Sequence, residues 1–211
     1  MSNGPVVASI STSVDGYFVG PYDGPERGLG VGGERLHYWV MGGPWAYGED
    51  HVPGAGASGA DREFLDAMVS RGGASVCGRG MYEGAGHWGG TNPFGVPLFV
   101  VTHRPEEQPP AESGFTFVPD LATALEQAHA AAGGKAVSLA GGGDLIRQAL
   151  AAGLVDELVL STAPVVLGAG KRLFDGFTAD LELRKLDVWS SDLATHVRYA
   201  VLPTQLPATD H

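Results

Sequence analysis

Three short β-prone runs constrain this chain most, because each stops abruptly. Ala74–Cys77 runs into Gly78-Arg79-Gly80, Pro97–Thr102 into His103-Arg104, and Lys135–Ala140 into Gly141-Gly142-Gly143. The apolar run Pro97–Thr102 does not alternate with polar residues, which suits a strand covered on both faces, as in a parallel sheet; Ala74–Cys77 reads as a short strand and Lys135–Ala140 as a buried one. After the third run, Asp144–Ala152 is patterned as a helix closed by Gly153, and Glu157–Ala163 reads as another strand. Strand, glycine turn, helix and strand imply right-handed crossovers in one sheet. Residues 181–189 and 195–202 read as a terminal antiparallel pair. The class is therefore α/β.

The front half is less regular. Residues 6–12 form a compact β-prone segment ended by Asp15-Gly16, a turn pair. Residues 20–60 hold 12 of the chain's 33 glycines and contain one helical island, Glu34–Met41. The remainder of that stretch is expected to be a long loop, an insertion acting as a mobile cover or a dimer contact. Asp61–Arg71 is helical, with Phe64, Leu65, Met68 and Val69 on one face. Residues 115–118 suit a strand, and Asp120 a helix N-cap for the Ala-rich segment 121–132. No linker, repeat or second composition regime divides residues 1–211, so one domain is expected.

Thirteen basic residues against 24 acidic ones leave a net charge of −11, with no basic cluster. That balance disfavours nucleic acid and anionic membrane surfaces as partners. No apolar run reaches the roughly 18 residues of a membrane span, so a cytoplasmic protein is expected. The one cysteine, Cys77, excludes internal disulfides, and the seven scattered histidines carry no zinc spacing. No metal is expected. Gly-x-Ser-x-Gly is absent, which disfavours a serine hydrolase.

A literal Gly-x-Gly-x-x-Gly lies at Gly28, Gly30 and Gly33, but turn-like residues precede it where a phosphate loop requires a strand. Gly141–Gly143 is better placed, because it follows a buried strand and opens a helix whose free N–H groups favour an anion. Gly78-Arg79 and Thr102-His103-Arg104 form two further strand ends bearing cations. Ligands of open α/β sheets sit beyond such carboxyl ends. Together the three suit a phosphorylated nucleotide. Trp39, with its aromatic neighbours, and His87-Trp88 are candidates to stack on a flat substrate.

Taken in order, Ser13-Val14-Asp15-Gly16, Gly78-Arg79 with Tyr82-Glu83, Val101–Arg104, Ala140–Gly143, Gly153–Leu158 and Pro164–Gly170 with Leu173-Phe174 resemble the dihydrofolate reductase-like superfamily. The resemblance is to its riboflavin-biosynthesis reductase branch, in a stand-alone form, over residues 6–202. It implies a three-layer α/β fold: a mostly parallel central sheet, an antiparallel C-terminal pair, and helices on both faces. It also implies a homodimer and NADPH as hydride donor to a small planar heterocycle, pterin-like or aminopyrimidine-like.

By position, Gly78 and Arg79 would lie at the adenosine phosphate, and Thr102, His103 and Arg104 at the 2′-phosphate. Gly141, Gly142 and Gly143, with Asp144 and Leu145, would hold the pyrophosphate. Thr12 and Ser13 would border the nicotinamide, Lys171 would meet a substrate phosphate, and Asp61 would be the catalytic acid. Gly80-Met81 departs from the family pattern, which places a threonine before the aromatic residue. The zinc deaminase ligands of the full riboflavin enzyme are absent. Alternatives are reduction of 5-amino-6-(5-phosphoribosylamino)uracil, or a non-catalytic protein binding a ligand, flavin or deazaflavin on the same fold.

Overall fold

The structure, a computed structural model, describes residues 3–47 and 54–202. In chain order the strands are β1 (Val6–Ser13), β2 (Tyr17–Val19), β3 (Gly72–Gly78), β4 (Leu98–Val101) and β5 (Phe115–Val118). They continue as β6 (Ala136–Gly141), β7 (Glu157–Ala163), β8 (Lys171–Arg172), β9 (Glu182–Ser190) and β10 (Thr195–Leu202). The helices are α1 (Tyr38–Met41), α2 (Gly59–Arg71), α3 (Arg79–Gly84), α4 (Leu121–Ala132) and α5 (Gly143–Ala151).

Eight strands form one sheet in the order β5-β4-β3-β6-β1-β7-β10-β9. The first six are mutually parallel, and β10 runs against both of its neighbours, β7 and β9. The expected α/β class and C-terminal antiparallel pair are both present. β2 and β8 pair separately, Tyr17 opposite Arg172. At three and two residues, neither was long enough to show a period in the sequence.

Alternation along β1 explains the layers. Val6 and Ala8 point to one face, where they pack with Val76, Val137 and Leu139 under α4 and α5. Val7 points to the other and meets Trp39 of α1 and Phe64 of α2. On that second face but farther along the sheet, Cys77, Leu98 and Val100 pack with Tyr82 of α3. Asp120 caps α4 as its sequence predicted, accepting a hydrogen bond from the Thr123 N–H at 2.8 Å.

Candidate active site

The sheet opens at its carboxyl edge between its two central strands. β1 pairs with β6 only from Val6↔Val137 to Ala8↔Leu139. Beyond that, β1 continues against β7 as far as Ser13↔Ala163, while β6 continues against β3 to Cys77↔Gly141. Ser9 and Ile10 are accordingly the half-buried residues of an otherwise buried strand. A parting of adjacent parallel strands at this edge is where open α/β sheets take ligands.

Four glycines meet beside the gap for two different reasons. A Cβ on Gly141 would stand 2.7 Å from the Met81 sulfur, and one on Gly143 would stand 2.4 Å from the Phe18 ring. At Gly141 a φ of +139° favours glycine as well, whereas at Gly143 packing alone requires it. Gly78 and Gly142 differ. Both have φ values that any residue adopts, −84° and −74°, and a cis peptide bond joins Gly141 to Gly142. A Cβ on Gly78 would meet nothing nearer than Leu145 Cβ at 3.8 Å and the Gly142 nitrogen at 4.0 Å, and one on Gly142 would meet nothing within 4 Å.

What these two glycines leave is uncrowded backbone at the start of α5. The first intrahelical bond is the Ile146 N–H donating to the Gly142 carbonyl, at 3.2 Å. The N–H groups of Gly143, Asp144 and Leu145 precede it and have no partner within the helix. With the positive end of the helix dipole behind them, they form a seat for an anion. The Asp144 carboxylate is exposed and paired with Arg147, whose guanidinium also donates to the Arg172 and Leu173 carbonyls.

At the ends of β3 and β4 lie the expected cations, both already matched by acids. Arg79 donates from Nε to Glu83 at 2.8 Å and from Nη2 to Glu107 at 2.6 Å. Arg104 donates to the same two carboxylates, at 3.0 and 3.1 Å. The Arg79 guanidinium also lies 5.1 Å from the Phe117 ring centre and 5.6 Å from that of Tyr82. Its side chain is only 20% exposed, against 51% for Arg104. The Arg79 guanidinium beside it holds the Glu83 carboxyl below the usual carboxylate range. His103 is exposed, and buried Thr102 accepts a hydrogen bond from the Arg104 N–H at 3.1 Å.

On the other side of the gap, polar groups join β1, β7 and β10. Ser11, Ser161 and His196 face the same layer through the pairs Ser11↔Ser161 and His196↔Ser161. His196 Nε2 lies 3.0 Å from Asp61 Oδ1, and Nδ1 lies 2.8 Å from Ser161 Oγ. A carboxylate can only accept, so Nε2 carries the proton; burial lowers the ring's pKa, and Nδ1 accepts from the Ser161 hydroxyl. Phe64 stacks on His196 at 3.9 Å, and Trp39 meets it edge-on at 4.7 Å while donating to Ser11 Oγ at 3.1 Å. Asp61 and Trp39 are both buried in this network.

Thr12 and Ser13, also buried, end β1 beside it. Ser13 is engaged in the turn: its hydroxyl donates to Asp15 at 2.6 Å and accepts from the Tyr17 N–H at 2.9 Å. The Ser13 hydroxyl, helped by the Gly168 and Leu167 N–H groups, holds the Asp15 carboxyl down at about 2.

The remaining sequence candidates fall apart from one another. His87 lies over Tyr82, ring centres 4.6 Å apart, and Trp88 stacks on Phe115 at 6.1 Å. That puts both near the Arg79 corner rather than near Trp39. Lys171 is exposed and paired with Asp23. Gly28, from the rejected glycine motif, has a packing role, since a Cβ there would stand 1.9 Å from the Gly84 carbonyl oxygen. Cys77 is buried in the sheet, and burial pushes its thiol up to about 12, so it is inert. Among the described residues, no cluster of His, Cys, Asp and Glu suits a metal, and no helix is long and apolar enough to cross a membrane.

Residues 5–197 match the family described as the RibD C-terminal domain. The chain belongs to this family. Three solved structures share the fold. A protein from Shewanella sp. PV-4 assigned to riboflavin biosynthesis is 22% identical, with a TM-score of 0.68, over 94% of this chain and 99% of its own. A pyrimidine reductase-like protein from Corynebacterium diphtheriae is 17% identical, with a TM-score of 0.55, over 95% and 93%. Dihydrofolate reductase from Enterococcus faecalis, complexed with NADP(H), is 14% identical, with a TM-score of 0.52, over 93% and 96%. No curated protein matches the sequence.

Within this RibD C-terminal domain, Met81 fills the position where a threonine was expected, its thioether lying against Gly141. Three residues of the site were missed in the sequence. Glu83 and Glu107 stand four and three residues after the arginines they bind, spacings that place side chains on one helical face. His196 carried a weaker signal, sharing with Arg198 one face of a strand whose intervening residue is Val197.

Proposed function

We propose that this protein is a reductase that passes a hydride from a nicotinamide dinucleotide to a pyrimidine-type heterocycle. The observation that carries the proposal is the open pair Gly78 and Gly142 at the start of α5. Neither φ nor packing around a Cβ requires glycine at either position, although a cis peptide bond joins Gly142 to Gly141. A glycine at a strand end lets another group approach the backbone closely, and the adjacent N–H groups suit a pyrophosphate. The dinucleotide then lies across the carboxyl ends of β4, β3 and β6, with its nicotinamide arm in the gap between β6 and β1. The names of the Corynebacterium and Enterococcus neighbours agree with this substrate class and this cofactor class. NADPH is the donor that the family likeness implies.

The bound dinucleotide supplies the hydride, and the proton that balances the reduction comes from water. The chain's own part is positioning and exclusion of water. Gly78 and the N–H groups of Gly143, Asp144 and Leu145 hold the pyrophosphate, while Thr12 and Ser13 border the nicotinamide end. Asp61 is occupied by His196; its role in this reading is to fix the α2 N-terminus over the ends of β1 and β7. Trp39 closes the same layer from above.

Gly78→Val tests the placement. A Cβ there would meet nothing nearer than 3.8 Å, so the thermal midpoint should stay within about 3 °C of the parent, a change of less than about 1 kcal/mol. The added methyl groups cover the uncrowded backbone, so NADPH affinity followed by tryptophan fluorescence should fall at least about tenfold, or about 1.4 kcal/mol. Unchanged affinity in the folded variant would remove the pyrophosphate from this seat.

A further inference from the structure

We infer that Glu83 and Glu107 are specificity-determining residues that cancel the attraction of this site for a 2′-phosphate, so that the protein takes NADH as readily as NADPH. The inference rests on the dinucleotide reading above. It departs from the family expectation that the arginines at these strand ends select the phosphorylated cofactor.

The argument begins with direction. If the nicotinamide arm enters the gap on the β1 side of β6, the adenosine arm runs the other way, over β3 toward β4. β4 lies two strand spacings, roughly 10 Å, from β6, which is within reach of an adenosine ribose from its pyrophosphate. The ribose therefore meets Arg79, Arg104, Glu83 and Glu107. Their formal charges sum to zero. All four possible guanidinium–carboxylate pairs are made, at 2.6 to 3.1 Å.

A 2′-phosphate arriving here finds both guanidiniums already paired with carboxylates. Arg79 is held on three sides: by Glu83, by Glu107, and by the rings of Tyr82 and Phe117. Its Nη1 is buried without a hydrogen-bond partner among the described residues, so the guanidinium is packed inward. Arg104 is exposed enough to turn, but turning exchanges two carboxylates for one phosphate. The phosphate also approaches Glu83 and Glu107 themselves, each about two-fifths exposed on the same corner. At a dielectric constant of about 50, between the protein-surface and bulk-water values, one unit charge about 5 Å away changes affinity by roughly tenfold. Two cations would favour the phosphate strongly, and two anions at similar range remove that advantage. NADH lacks the group and is indifferent to it.

The test is calorimetric titration of the parent, Glu83→Gln and Glu107→Gln with NADPH and with NADH. Both substitutions are partly exposed and near-isosteric, and circular dichroism at matched temperature confirms that each variant is folded. Expected are parent Kd values for the two nucleotides within about fivefold of each other. Each variant should bind NADPH about tenfold more tightly while NADH moves less than about threefold. A parent preference for NADPH above fivefold, or variants whose NADPH affinity does not rise, overturns the inference but leaves the dinucleotide reading standing. Saturation by neither nucleotide overturns both.

Discussion

Single glycines divide this candidate site into positions where a Cβ would be crowded and positions where it would meet open space. Gly143 belongs to the first kind, because the Phe18 ring lies where its Cβ would be. Gly143→Ala should lower stability by about 2 kcal/mol, the usual size of an overpacking penalty. Combining it with Phe18→Leu should restore at least half, measured by urea unfolding of the two variants. A Gly143→Ala protein as stable as the parent would show that Phe18 does not fill this space. The sequence placed Gly78 and Gly141–Gly143 at strand ends correctly. It could not separate the crowded pair from the open pair, since Met81 and Phe18 approach from distant segments. Nor could it show that Arg79 is turned onto Phe117, a contact spanning 38 residues.

Among the elements, α2 shows how a helix is fixed over the site. Its first turn is tied to the sheet by Asp61 and His196, and its last residue, Arg71, donates two hydrogen bonds to Glu157, at 2.8 and 2.9 Å. Burial keeps His196 below the ordinary imidazole range, although Asp61 pulls the other way, and burial pushes His37 down to about 4. In the unfolded chain both rings take protons near 6.5. Between about 6.5 and about 4 the unfolded state therefore binds more protons. This part of the stability is complete above 6.5 and is lost as the pH falls through that window. The urea midpoint should drop between pH 7.5 and 5.5, and less steeply in His196→Gln. An equal drop in that variant would mean His196 does not carry the effect. The sequence read α2 from its periodic face, whereas the His196 tie needed the register of β10 on β7.

Across the whole molecule, the strand–glycine–helix order specified the sheet, because parallel strands need crossovers and crossovers leave a legible alternation of patterns. The parting of β1 from β6 was not legible. It arises because β1 follows β7 while β6 follows β3, a competition between neighbours that no local pattern records. The expected cover over residues 20–60 is folded where it is described: the Tyr47 hydroxyl accepts from the Leu29 N–H at 2.9 Å, and the Trp45 indole donates to the Glu34 carbonyl at 3.1 Å. Residues 48–53 of that stretch lie outside the described residues. The central claim is that a dinucleotide crosses the carboxyl edge of the sheet with its pyrophosphate at the start of α5. A crystal structure of the protein with NADPH or NADH tests it most directly. The account predicts pyrophosphate oxygens on the N–H groups of Gly143, Asp144 and Leu145, with Gly78 alongside and the nicotinamide between β1 and β6. A dinucleotide bound away from Gly78 and Gly142 would contradict it.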